Sequence, residues 1–503
     1  MSAIRHSPAV PTGIEDRAVY DSAVRHLREA RVVLPTFEEL ADPAAIPGDI
    51  AARTRQIDRD AADPANLFRV HWFNDIGTGG VRPVPPHVVL PKALTGVDAP
   101  IAVALGNSFP MIGAHKVLAA YACLVSRLVA GRFDPARHKA VWPSTGNYCR
   151  GGVAISRTMG VRGVAVLPEG MSAERFAWLR EWIEHPDDIV RTPGSESNVK
   201  EIYDACDALE RDPANAILNQ FSEFANYLGH YRCTGPALEA VHAHLRRDNP
   251  DLALAAFVAG TGSGGTLAAG DRLKETEGAR IVAVEPLECP TMLYNGYGAH
   301  NIQGIGDKHI PLIQNVMNTD AVVGVPDRNC DRLNALFNTE TGRAHLTGRC
   351  GVDAGTVARL SDFGLSSIAN VLASIKTAKY YGLGPDDLIV TVATDGASMY
   401  DSERAKTIGA EFAGDFDGMA AAETFGRDLA AIGTDHVLET GHAERTRIFN
   451  LGYFTWVEQR GIDLEAFDER RDRRFWTGLH DALPLWDEAI RAFNAETGVN
   501  RPG

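Results

Sequence analysis

Between about residues 90 and 400 the chain alternates short apolar runs with helix-length segments. The runs fall at 161–167, 253–258, 281–284 and 388–392, and each is bounded by Gly, Pro or charged residues. Strands that are apolar throughout, with helices between them, predict parallel sheets covered on both faces. Helices are expected at 117–129 and 267–274. Before about residue 90 the pattern is helical and loop-rich, punctuated by Asp63-Pro64, Gly77-Thr78-Gly79-Gly80 and Pro83-Val84-Pro85-Pro86. After about 405 it is mostly helical. Apolar residues recur at helical spacing over 481–493, with Gly498 and Pro502 as stops. The organisation expected is an N-terminal extension (1–90), an α/β core (91–405) and a helical C-terminal extension (406–503).

Composition narrows the function. A chain of 503 residues exceeds one hydrophobic core, so more than one domain is expected. The net charge of -15 disfavours nucleic acid as main ligand, because phosphate backbones call for a Lys/Arg surplus. No stretch of about 18 apolar residues calls for a membrane span, and the first residues carry no apolar run of a secretory signal, so a cytoplasmic location is expected. The seven cysteines are scattered without a CxxC pair, which favours reduced thiols over disulfides or zinc. No metal is expected, since His115, His300 and His309 lack ligand spacing. The run Arg470-Arg471-Asp472-Arg473-Arg474 reads as a solvated face.

The sharpest local signal is Gly260-Thr261-Gly262-Ser263-Gly264-Gly265-Thr266, between an apolar strand and a helix. Glycines let the backbone approach an anion, and loop amides at a helix start cradle it, so a phosphate site is inferred. Two phosphates suit it. Gly260, Gly262 and Gly265 with Glu285 about 20 residues on satisfy the dinucleotide fingerprint, which would make an NAD oxidoreductase. The glycine density and Thr266 equally suit a small terminal phosphate.

Two further segments carry candidate chemistry. Gly106-Asn107-Ser108-Phe109-Pro110-Met111-Ile112-Gly113-Ala114-His115-Lys116 leads from a loop into an apolar helix. The positive end of a helix and partial burial both disfavour an ammonium, so Lys116 is placed to be an amine nucleophile. Pro143-Ser144-Thr145-Gly146-Asn147-Tyr148 offers hydroxyls and amides to a carboxylate.

The order of these motifs resembles the fold type II (tryptophan synthase β-like) pyridoxal-phosphate (PLP) enzymes, closest to the cysteine synthase and cystathionine β-synthase branch. Leu167-Pro168-Glu169-Gly170-Met171-Ser172, Asn219-Gln220-Phe221-Ser222, Thr234-Gly235-Pro236, Val284-Glu285-Pro286 and His300-Asn301-Ile302-Gln303-Gly304-Ile305-Gly306 add to it. The resemblance spans about residues 90 to 400. It implies two three-layer α/β subdomains, the smaller at about 117–225, with PLP in the cleft between them. It implies Lys116 as the Schiff-base lysine and general base, and Asn147 on the ring hydroxyl. Gly262, Ser263, Gly264, Gly265 and Thr266 would take the phosphate, and Gly304 would face the ring. Ser144, Thr145, Gly146 and Tyr148, with Gln220, would bind the substrate carboxylate. The pyridine nitrogen would meet Thr394 or Asp395. A hydroxyl leaves that nitrogen largely unprotonated, whereas a carboxylate favours a pyridinium and a stronger electron sink.

The chain departs from the family at Ala114, where a serine is usual, and at Tyr148-Cys149-Arg150, which is bulkier and adds a cation. Arg150 is expected in a structural salt bridge, with recognition of an anionic donor as the alternative. The resemblance implies β-replacement on a small amino acid such as O-acetylserine, serine or phosphoserine, through an aminoacrylate, in a homodimer. The alternatives are a β-eliminating ammonia-lyase or dehydratase, the NAD oxidoreductase, and a PLP-binding subunit without catalysis.

Overall fold

The computed structural model describes residues 13–499. Two sheets organise it. The larger has seven strands in the order β1-β2-β10-β7-β8-β9-β11. These are β1 (His87–Leu90), β2 (Ile101–Leu105), β7 (Ala253–Gly260), β8 (Arg280–Pro286), β9 (Ala321–Val325), β10 (Asp387–Ala393) and β11 (Val437–Glu439). β2, β10, β7, β8 and β9 pair in parallel; the edge strands β1 and β11 are antiparallel to β2 and β9. The smaller sheet, β5-β4-β3-β6, is parallel throughout: β3 (Lys139–Pro143), β4 (Gly163–Pro168), β5 (Ile189–Thr192) and β6 (Asn215–Ile217). The apolar runs became strands because both faces are covered. Every residue of β2 and β9 is buried, and Val282, Ala283 and Val284 of β8 with Ile389 and Val390 of β10 are at most 1% exposed.

Local chemistry moves some element ends. The run at 161–167 starts its strand at Gly163, because Gly160 (φ 68°) terminates the helix Asn147–Thr158 and Val161 closes that turn on the Ser156 carbonyl. The helix expected at 267–274 runs from Ala268 to Glu277 and stops at Gly278, in the left-handed region. The tail pattern at 481–493 is divided between the helices Arg473–Asp481 and Leu483–Thr497, the second taking Pro484 in its first turn. The lysine helix includes Lys116 itself, at Lys116–Val129, and is buried along nearly its whole length.

The terminal segments meet over the back of that helix. Phe37 stacks on Trp486 at 3.8 Å between ring centroids and lies 5.8 Å from Tyr121, whose hydroxyl donates to the Pro35 carbonyl. The Asn494 amide exchanges hydrogen bonds with the Leu34 backbone at 2.9 and 2.8 Å, and the Asp487 carboxylate accepts the Phe37 N–H at 2.6 Å. Among the described residues no helix is long and apolar enough to cross a membrane.

This packing sets a stability test. Trp486→Ala should cost about 3–5 kcal/mol, because it empties a wholly buried site beside Phe37. Leu485→Ala, on the exposed neighbour, should change stability by less than about 0.5 kcal/mol. Urea unfolding of the two variants beside the parent measures both.

Candidate active site

Both halves of the site sit where chain leaves the carboxyl end of a parallel strand. β2 feeds the segment that ends at Lys116. β7 feeds the glycine turn, and β10 feeds Thr394 and Asp395. The Lys116 Nζ donates to the Ser263 Oγ at 3.2 Å. That hydroxyl also accepts from the Asn226 amide at 3.0 Å, and the same amide donates to the Gln220 carbonyl. A narrow cavity joins Lys116 to the turn. Its walls include Gly262, Gly304, Ser366, Asn370 and Thr394.

The turn fits a phosphate. All its residues from Thr261 to Thr266 are buried. The backbone N–H groups of Gly262, Ser263, Gly264 and Thr266 have no partner among the described residues. Buried amides left so are costly, and several converging on one cavity suit an anion. Only glycine allows the approach. A Cβ on Gly262 would stand 2.5 Å from the Gly304 carbonyl oxygen, and one on Gly265 2.2 Å from the Asn226 Oδ1. Gly264 has φ 79°. His115 Nε2 lies 3.2 Å from the Thr266 hydroxyl and braces it.

Burial lowers the pKa of Lys116 to about 8, against the raising effect of Asp307 and Glu196. Those two acids are themselves pushed up by burial, Asp307 to about 7 and Glu196 to about 8, with Arg175 opposing the rise in Glu196. Neither stood out in the sequence, because each is a lone acid in a segment of glycines and small polar residues. Ser366 and Asn370 were also missed. Their one trace is the polar start, Ser366-Ser367, of the otherwise apolar helix Leu365–Tyr381.

The other residues picked out from the sequence divide into two groups. Ser144 accepts the Gly146 N–H at 3.1 Å, Thr145 hydrogen-bonds Glu196, and Gly146 packs over the Arg175 guanidinium, 2.6 Å from the position of a Cβ. Gln220 is buried with its side chain unpartnered among the described residues. Tyr148 points elsewhere. Its ring meets Trp142 edge-on and its hydroxyl donates to the Leu218 carbonyl at 3.1 Å, so only its backbone belongs to the loop.

Asn147 is tied at both ends: its Nδ2 donates to Asp395 at 2.7 Å and its Oδ1 accepts from Arg150 at 2.9 Å. Asp395 is wholly buried, takes the Tyr400 hydroxyl at 2.8 Å and faces Arg175 at 3.6 Å. Thr394 lies on the cavity wall. The salt bridge expected for Arg150 is absent: no carboxylate lies within 4 Å among the described residues. Its guanidinium instead caps the Ile112 carbonyl and packs 4.9 Å from the Trp178 ring. The dinucleotide reading fails at Glu285. That carboxylate is buried and accepts the Met292 and Leu293 N–H groups at 2.9 and 2.8 Å, so it is not offered to a ribose. Among the described residues no group of three or more His, Cys, Asp or Glu could hold a metal.

Comparison with known proteins gives the family. Residues 95–343 match the family model described as pyridoxal-phosphate dependent enzyme. Cysteine synthase B of Campylobacter jejuni is 33% identical over 49% of this chain and 72% of its own. A probable cysteine synthase of Bacillus subtilis is 28% identical over 57% of this chain and 84% of its own. The crystal structure of a hydrogen sulfide-producing enzyme from Fusobacterium nucleatum superposes with a TM-score of 0.51 and 23% identity, covering 63% of this chain and 96% of that one. The chain belongs to the pyridoxal-phosphate dependent enzyme family, the fold type II group its motif order resembles, and its cofactor is PLP.

Proposed function

We propose that the enzyme replaces the substituent on the β-carbon of a small amino acid, with O-acetylserine, serine or phosphoserine as donor. The observation that carries this is the partly buried Lys116 amine, with pKa lowered to about 8, held 3.2 Å from Ser263 in a turn of unpartnered amides. The similarity to cysteine synthases supports replacement over elimination. A homodimer in the cytoplasm belongs to the same reading.

In this reading Lys116 carries the cofactor. The amides of Gly262, Ser263, Gly264 and Gly265, with the amide and hydroxyl of Thr266, take its phosphate. Gly304 would face the ring, and Asn147, whose Nδ2 has a second hydrogen beside the one given to Asp395, would hold the ring hydroxyl. When bound, PLP supplies the electron sink that lets the α-hydrogen leave as a proton. Lys116 Nζ takes that proton, because burial lowers its pKa to about 8 and so raises the share of neutral amine above that of an ordinary lysine. Ser144, Thr145 and Gly146, with the Tyr148 backbone and Gln220, bind the substrate α-carboxylate and fix the α-hydrogen toward Nζ. Thr394 takes the pyridine nitrogen, supported by its place on the cavity wall and by the engagement of Asp395 with Asn147, Tyr400 and Arg175. A hydroxyl there leaves the nitrogen largely unprotonated, a mild sink suited to loss of a β-substituent.

The direct test is product analysis. O-acetylserine with sulfide should give cysteine and acetate. Ammonia and pyruvate formed at the same rate with or without sulfide would replace this reading with β-elimination. Lys116→Ala should lower turnover about 10³-fold, within the range for loss of a positioned acid–base group. Gly265→Ala should weaken PLP retention at least tenfold on dialysis while leaving the circular dichroism spectrum unchanged. The lowered lysine pKa fixes the sign of a pH effect: uptake of PLP by cofactor-free protein, followed by its visible absorbance, should speed up from pH 7 to 9 and level off above.

A further inference from the structure

The arginine run at 470–474 is a solvated face only in part, because Arg470 turns into the core. Arg470 is buried and donates to the Leu312 carbonyl at 2.6 Å, and Arg474 pairs with its neighbour Asp472. Arg471 reaches Asp468 at 2.8 Å. Arg473 is exposed and has no ion pair among the described residues. Arg471 and Arg473 form one wall of a crevice of about 450 Å³ between the C-terminal segment and the core, whose other walls include Lys274, Arg445 and His442.

Three stretches of chain thus bring four full positive charges to one cavity in a protein of net charge -15. The local carboxylates fall short of them. Lys274 and Arg445 share the single Asp320 carboxylate, at 2.8 and 3.0 Å. Asp468 serves Arg471, and Glu275, also in the wall, accepts the Tyr231 hydroxyl at 2.7 Å. Burial and the nearby charges of Arg272 and Arg473 hold His480 near pKa 4, so it is neutral. Arg473 is left over, and His442, which also lines the crevice, is exposed and unpartnered among the described residues.

We infer that this crevice binds a small anion carrying a di- or triphosphate group. Guanidinium forks match phosphate oxygens two at a time: Arg473 has no carboxylate, and the Nη1 groups of Arg445 and Arg471 have no hydrogen-bond partner among the described residues, so three arginines still offer donors to a cavity of small-molecule size. The crevice also has a physical path to the cofactor end. Asn315 and Asn318 in its wall donate to Asp271 at 2.9 and 2.6 Å, on the helix that carries Lys274 and follows the glycine turn. Gln314, next in chain, lies against Gly264, 2.9 Å from the position of a Cβ there. An occupant would brace the residues that hold the turn and slow cofactor loss.

The test is calorimetric titration of the holoenzyme with inorganic pyrophosphate at low ionic strength, beside inorganic phosphate and potassium chloride at matched ionic strength. The expected result is saturable binding of one pyrophosphate per chain, tighter than phosphate and absent with chloride. It should weaken at least tenfold in the double variant His442→Ala/Arg473→Ala, whose two side chains are exposed and bear on no packing. Pyrophosphate should also slow PLP loss on dilution at least twofold in the parent but not in the variant. Heats that track ionic strength alone, or equal binding by parent and variant, would overturn the site. Saturable binding with unchanged PLP loss would overturn the path to the turn.

Discussion

The contact between Lys116 and Ser263 joins two pieces of chain 147 residues apart, and each piece is costly by itself. One is an amine partly removed from water at the start of a helix, where the backbone dipole also opposes its charge. The other is a buried turn with several unpartnered N–H groups. Neither would persist as an ornament of the fold. In the proposed function PLP answers both at once, its aldehyde beside the amine and its phosphate in the turn.

The architecture exists to hold those pieces still. The central strands are parallel and buried on both faces, so their carboxyl ends are fixed, and the chain leaving β2, β7 and β10 converges on one cavity. The lysine helix is clamped from behind by the two terminal segments through Phe37, Tyr121 and Trp486. A buried polar cluster of Arg150, Asn147, Asp395, Tyr400 and Arg175 lies under the loop that begins at Ser144. Low dielectric strengthens each of its contacts, and they fix the Asp395 side chain in place.

Much of this was legible in the chain. Apolar runs marked β4, β7, β8 and β10, since strands buried on both faces write a continuous signal. The glycine turn was legible because close approach of backbone demands residues without a Cβ. The short edge strands β1 and β11 left no such mark; their pairing depends on the sheet already being there. Glu196, Asp307 and Arg175 were invisible for a related reason: their environment is made by tertiary burial, which no spacing records. Arg150 was misjudged because a cation in a sequence suggests an anion nearby, whereas here carbonyl, amide and indole groups serve it. Thr394 and Asp395 are adjacent in sequence and diverge only in space, one to the cavity wall and the other to the buried cluster.

The central claim is that the cofactor is bound covalently through one amine. Borohydride reduction of the holoenzyme followed by peptide mass mapping tests it most directly. The account requires the pyridoxyl mass on the peptide containing Lys116 and on no other lysine. Label on a different lysine, or none in a preparation that retains its colour before reduction, would contradict it.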